Sequence, residues 1–239
     1  MQRYFVDKKE NGSFILSQEQ AHHILRVMRM NVKDEITICY NEEVYLCEIT
    51  STSPLTVQEK EKLHEDHELK NNVTLFYCLP KGDKLDLVIQ KASELGVSEI
   101  VLVQSKWCVC KYKKEDYPKK VERFNKIALE ACEQSKRNKR VIIKDIIDFK
   151  EIKNYDFDHK FIAYEKEKDL SFFDKLTCIN KNESIAVLVG SEGGFTQEEV
   201  SYASENGFYS ISLGKRILRS ETAAIYVLSV IAFMNERND

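Results

Sequence analysis

The sequence predicts an α/β protein in two parts: a small barrel-like module with one helix, then a mostly parallel sheet covered on both faces. Three observations predict it. Up to about residue 70 the apolar residues fall in short strand-like runs, whereas after Asn72 strand and helix patterns alternate. Between these textures, Glu59 to Asn72 is nearly all charged or polar, as a linker is. In the second part, two loops rich in glycine or charge fall at the ends of predicted strands, where ligands bind in such sheets.

In the first part, Phe14–Leu16, Glu35–Cys39 and Val44–Ile49 read as strands, with a helical stretch at Gln18–Arg29 and a turn at Asn41–Glu43. In the second, Val73–Leu79 is a continuous β-type run. Asp83–Leu95 then sets Leu85, Val88, Ile89, Ala92 and Leu95 at helical spacing, with Gly96 as the stop. Glu99–Val103 is a strand, and Cys108-Val109-Cys110 sits in an alternating run that also reads as one. A helix over Pro118–Lys136 buries Val121, Phe124, Ala128, Ala131 and Cys132. Strands follow at Val141–Lys144, Lys160–Tyr164, Ser184–Val189 and Tyr209–Leu213. The last helix, Thr222 to Asn235, is apolar almost all round, which predicts a subunit interface as well as an intrachain core.

Composition excludes several classes. No stretch approaches the roughly 20 apolar residues that cross a bilayer, and nothing follows Met1-Gln2-Arg3 that reads as a signal peptide, so a cytoplasmic location is expected. The seven cysteines include no Cys-x-x-Cys pair, so reduced and mostly buried thiols are expected and no metal. Net charge is −3, but twelve Lys and Arg stand against five acidic residues between Lys111 and Lys144. That block is a candidate phosphate-facing surface, or equally a solvated helix face.

Two loops carry the chemistry. Ser184–Val189 runs into Gly190-Ser191-Glu192-Gly193-Gly194, then into a helix whose Thr196 and Glu199 form a capping box. The loop lacks the Lys-Ser/Thr of a P-loop and the spacing of the dinucleotide fingerprint, which argues against a nucleotide-dependent dehydrogenase. Glu192 would repel a pyrophosphate, so a neutral or cationic ligand fits better. The second loop, Leu213-Gly214-Lys215-Arg216-Ile217-Leu218-Arg219-Ser220, packs three basic residues before the last helix, with Ser220 as the natural N-cap.

This ordered pair resembles the RsmE family of SPOUT-class enzymes, which methylate N3 of a uridine in 16S ribosomal RNA of the small subunit. Further stretches share the resemblance: Lys91–Val97, Glu130–Asn138, Arg3-Tyr4-Phe5 and His23–Arg29, in order along the whole chain. It implies a PUA-like RNA-binding barrel over residues 1–70 and a methyltransferase domain over 71–239. It further implies a deep C-terminal trefoil knot, S-adenosylmethionine bound within it, and a homodimer formed through the knot and last helix. Gly190, Glu192, Gly193, Leu213, Gly214 and Leu218 are then the cofactor-binding residues. Arg219 is expected to stabilise the developing uridinate; Glu221 is an alternative participant, as an orienting or proton acceptor, or equally a residue favourable to the helix dipole. RNA contacts are expected from Arg3, Arg26, Arg29, Lys136, Arg137 and Arg140, with Lys139 beside them. Where the family usually has Pro, Thr, Arg and Pro, this chain has Ser191, Ser220, Trp107 and Ile142. The alternative is a non-catalytic RNA-binding factor on the same scaffold.

Overall fold

The structure, a computed structural model, describes residues 1–10, 12–167 and 172–237. It divides into two units: Met1–Glu68 with Cys132–Arg140, and Leu69–Ala131 with Val141–Asp239.

The first unit is built on β1 (Arg3–Phe5), β2 (Lys9–Glu10), β3 (Ser13–Phe14), α1 (Gln18–His22), β4 (Glu35–Tyr40), β5 (Glu43–Thr52) and β6 (Leu55–Leu63). Four strands form a sheet in the order β1-β4-β5-β6, with β1 parallel to β4 and the rest antiparallel. Ser17 caps α1 through a reciprocal box with Gln20, and the helix continues as a π-helical turn over His23–Val27. Tyr4, Phe14, Ile24, Ile36, Ile38 and Ile49 fill the core.

Two expectations need correction here. The stretch read as a linker from Glu59 is strand over its first five residues, because Glu59–Leu63 completes β6. Its charges alternate with the pleat and pair across the sheet. Lys60 reaches Glu35 and Glu48 at 2.8 and 3.5 Å, and Lys62 reaches Glu43 at 2.5 Å. A charged edge strand is a common guard against edge-to-edge pairing, and it hides the strand from a hydrophobicity reading.

The second correction concerns the basic block. Cys132–Arg140 belongs with the first unit because its polar groups are tied to acids there. Glu68 accepts from Arg137 Nε at 3.2 Å and from the backbone N–H of Asn138 and Lys139 at 2.8 and 3.1 Å. Arg3 is 1% exposed and pairs with Glu65 while donating to the Lys136 and Arg137 carbonyls. Arg137 is 2% exposed. Neither guanidinium can meet a phosphate without dismantling these bonds, so Arg3 and Arg137 are removed from the expected RNA contacts.

The second unit runs β7 (Asn72–Cys78), α2 (Lys84–Glu94), β8 (Glu99–Gln104), α3 (Tyr117–Gln134), β9 (Ile142–Ile143), β10 (Ile147–Asp148), β11 (His159–Ala163), α4 (Phe172–Leu176), β12 (Ser184–Val189), α5 (Gln197–Glu205), β13 (Tyr209–Ile211) and α6 (Ser220–Arg237). The last residues of α3, from Cys132, lie in the first unit. All pairings in the sheet are parallel, in the order β10-β8-β7-β12-β11-β13, with β9 also on β8. β7 and β12 are buried almost throughout, as a strand covered on both faces must be. The chain builds outward from β7 through β8, then resumes on the other side with β11 and β12, so strand order reverses between β7 and β12.

α6 packs on α2 and β12 through Ala224, Val227, Leu228 and Ile231. Tyr226 and Phe233 stand 43% and 62% exposed in the single chain. The Cys108-Val109-Cys110 run is not a strand but part of a loop after β8.

Candidate active site

Crevices in parallel sheets open where strand order reverses, outside the carboxyl ends of the strands. A cleft of about 480 Å³ lies beside that reversal, over the ends of the adjacent strands β12, β11 and β13. Gly190–Gly194 lines it from β12, Ala163–Glu165 from β11, and Ser212–Ser220 from β13; Lys84 enters from the start of α2. The volume falls in the range of small-molecule sites.

The glycine-rich loop is a tight turn. Gly194 N–H donates to the Ser191 carbonyl at 2.9 Å, and Gly194 sits at φ +66°, where a side chain would be strained. Thr196 then opens α5 with the expected capping box, its hydroxyl accepting from Glu199 N–H. The second loop differs from expectation at its end. Ser220 does not cap α6 with its side chain; it is the first residue of the helix, and Arg219 supplies the first carbonyl, to Ala223 N–H. The buried Ser220 hydroxyl instead donates to the Gly190 carbonyl and shares a 2.9 Å hydrogen bond with the Tyr77 hydroxyl, stitching the two loops together. Burial pushes the Tyr77 phenol well up, so it stays protonated in this stitch.

Glu192 does not point freely at a ligand. Its carboxylate accepts from Lys81 N–H at 3.2 Å and from Lys84 Nζ at 2.9 Å. Partial burial pushes this carboxyl up, but the Lys84 ammonium and the Lys81 amide outweigh it and hold it below the usual range. Lys84 also lies 3.2 Å from Glu221 Oε2, so one lysine bridges the glycine-rich loop and the first turn of α6.

All six expected cofactor-binding residues, Gly190, Glu192, Gly193, Leu213, Gly214 and Leu218, line this one cleft, as does Arg219. Glu221 does not line it; its carboxylate stands behind, against Lys84. Lys215, Arg216 and Arg219 are exposed, and among the described residues none of the three forms an ion pair. In the first unit, Arg26, Arg29 and Lys136 are exposed, while exposed Arg140 pairs with Asp7 at 2.6 Å and lies over the Phe5 ring. Lys139 pairs with Glu42 at 3.2 Å.

Sequence reasoning passed over Lys84, Tyr164 and Glu165. The rule that placed the two recognised loops at strand ends applies equally to the residues after β7 and β11, and would have found them. The residues present fit a small, partly cationic donor such as S-adenosylmethionine. Among the described residues the buried Ser191 hydroxyl has no partner but the neighbouring Cys108 thiol, and carboxylates of Glu165 and Glu192 flank the glycine turn.

A parallel α/β sheet with such a cleft defines the class, and the comparisons sharpen it. The family model of an RNA methyltransferase domain matches residues 67–232, and that of an RNA methyltransferase PUA domain matches residues 16–59. The chain is 38% identical to the ribosomal RNA small subunit methyltransferase E of Bacillus subtilis (strain 168), over 99% of this chain and 98% of that one. It is 36% identical to the protein of the same name from Mesomycoplasma hyopneumoniae (strain 232), over 96% and 98%. The crystal structure of a ribosomal RNA small subunit methyltransferase E from Neisseria gonorrhoeae, bound to S-adenosyl methionine, superposes with a TM-score of 0.88 at 27% identity, covering 98% of both chains. The chain belongs to the ribosomal RNA small subunit methyltransferase E family.

Proposed function

We propose that the chain methylates N3 of a uridine in 16S ribosomal RNA of the small subunit, with S-adenosylmethionine as cofactor, in the cytoplasm. One observation carries the reading: a single cleft gathers all six expected cofactor-binding residues and sets among them Arg219, which forms no ion pair among the described residues. S-adenosylmethionine supplies an electrophilic methyl group that brings its own leaving group. Gly190, Gly193, Leu213, Gly214 and Leu218 would hold it through their backbone, with Glu192, itself held by Lys84 and the Lys81 amide, bordering its sugar or its cationic end.

The protein's own task is alignment and charge. Uridine N3 lies on the pairing edge and carries a proton, so the base must be unpaired and must lose that proton. Arg219 stabilises the negative charge that develops on the uracil oxygens as the proton leaves. Glu221 acts from behind through Lys84, fixing where the lysine and the Glu192 loop stand. Arg26, Arg29, Lys136 and Arg140 of the first unit, the PUA-like RNA-binding domain in this reading, supply phosphate contacts. The last fifty residues form the knot: the Ser220 hydroxyl bonded to the Gly190 carbonyl supports a C-terminal segment held against the glycine loop. The bare Tyr226 and Phe233 on an apolar helix support a homodimer through α6.

Incubation with labelled S-adenosylmethionine and undermethylated small subunits, followed by mapping of the modified nucleotide, tests the reading. The expected product is a single N3-methylated uridine. Label on another atom or base, or calorimetry with no cofactor binding, would overturn it.

A further inference from the structure

Trp107 is the one tryptophan of the chain and is 51% exposed on the loop after β8. That loop is tied to α5 by one bond and closed on itself by two others. Lys106 N–H donates to the buried Glu199 carboxylate at 2.7 Å, Cys108 N–H donates to the Ser105 carbonyl at 3.2 Å, and the Ser105 hydroxyl lies 3.2 Å from the buried Cys108 sulfur. Trp107 also packs so closely on Gly193 that a Cβ added there would stand 2.7 Å from the Trp107 Cβ. The indole is therefore carried on a fixed frame against the loop that walls the cleft.

One exposed aromatic needs no explanation by itself. Its surroundings supply one. The cleft beside it is lined by the exposed cations Lys215, Arg216 and Arg219, which form no ion pair among the described residues, and the Lys106 ammonium lies 6.0 Å from the indole centroid. Cations next to a rigid aromatic are the chemistry that binds unpaired nucleic acid: phosphates meet the cations and bases stack on the ring. A methyl transfer to a pairing-edge nitrogen makes this need specific. Drawing one base out of its stack leaves its neighbours unstacked, and an aromatic platform offsets that loss. An indole has only two side-chain torsions to fix, so it does so at small entropic cost.

Resting on the methyltransferase reading above, we infer that Trp107 is a stacking platform for an unpaired base of the substrate RNA next to the extruded uridine. The ligand it takes is a nucleobase face, with little preference among bases.

Because Trp107 is the sole tryptophan, its fluorescence reports directly. The full-length chain is titrated with a uridine-containing single-stranded RNA 12-mer and with the same backbone made abasic, while binding is followed independently by anisotropy of an end label. Quenching by the RNA but not by the bound abasic strand is expected; equal change with both, or none, overturns the proposal. In a second arm, Trp107→Ala and Trp107→Phe are assayed on undermethylated small subunits. Trp107→Ala is expected to raise the RNA KM by about five- to 150-fold, with Trp107→Phe close to wild type and cofactor affinity unchanged in both. If Trp107→Ala weakens cofactor binding as much as RNA binding, the residue merely props the Gly193 loop and the platform is refuted. Absence of methyl transfer by the wild-type chain would sink the methyltransferase reading instead, and the fluorescence arm would still decide whether Trp107 meets a base.

Discussion

The chain carries two sets of arginines that look alike in sequence and are used in opposite ways. In the first unit, Arg3 and Arg137 are buried and bonded to Glu65, Glu68 and main-chain carbonyls. In the second, Arg216 and Arg219 are exposed, line a cleft, and form no ion pair among the described residues. A buried guanidinium without partners would be severely destabilising, so the first set is committed to architecture. An exposed guanidinium that no carboxylate neutralises keeps its full charge for a ligand. Lys84 falls between: it lines the cleft yet is held by two carboxylates. The difference teaches that a cation's role follows from what already satisfies it, not from its position in a basic run.

The sharpest way to break this comparison is Arg137→Met. Removing one partner of a buried pair leaves the Glu68 carboxylate with two main-chain amides but no counter-charge, and a loss of about 3 kcal/mol in denaturant unfolding is expected. The double change with Glu68→Gln should recover a large part of it, because the stranded charge is then gone. A variant of normal stability that binds RNA poorly would reverse the assignment and return Arg137 to the RNA surface.

Arg219→Ala should do the opposite: leave unfolding unchanged and cut turnover by about 10²- to 10³-fold at saturating RNA and cofactor, as loss of one preorganised charge-stabilising donor does elsewhere. Near-normal turnover would remove Arg219 from the chemistry. A fall in RNA affinity with intact turnover would make it a phosphate contact like Arg216.

These two residues also mark how far the sequence could be read. Ser184–Val189 is strand β12 at both predicted ends, and the Thr196–Glu199 box opens α5 as expected. Such features are local: a run of β-branched residues or a cap declares itself within a few positions. The cleft was legible for a related reason, since strand ends in a parallel sheet must gather on one side, and both recognised loops follow strands. What failed was non-local. β6 was hidden because its charges are balanced by β4 and β5 across the sheet, and the burial of Arg137 depends on Glu68, about seventy residues away. Ser220 was misread as a side-chain cap because its true partners, Tyr77 on β7 and Gly190 just past β12, are far away in sequence. The alternating residues around Cys108 mimic a strand, yet they form the loop that presents Trp107.

Lys84→Met probes the intermediate case. It leaves Glu192 and Glu221 facing each other without the ammonium between them, so like-charge repulsion replaces attraction. A cofactor KM raised only by about five-fold is expected, since the lysine is one-third exposed and water screens the pair. The pH dependence gives the sign. Glu192 is held below the usual carboxylate range partly by Lys84, so its favourable ionisation is lost only as pH falls through that lowered value. Without Lys84 its carboxyl rises, and the acid limb of kcat/KM should move to higher pH. An unchanged limb together with an unchanged cofactor KM would show that the bridge does no positioning.

The smallest effect is expected from Arg26→Ala and Arg29→Ala, which sharpen the comparison within the first unit itself. Both side chains are exposed and, unlike Arg3 and Arg137, neither forms an ion pair among the described residues. If they meet phosphates, each substitution should lower the slope of log affinity against log salt by about 1, with stability and turnover unchanged. The same change at Arg140 should be weaker, because Asp7 already occupies that guanidinium and its loss would free an acid as well as a base. Equal slopes for wild type and both variants would mean that RNA reaches only the cleft of the second unit. The free arginines of the first would then be solvated surface, no closer to function than the buried ones.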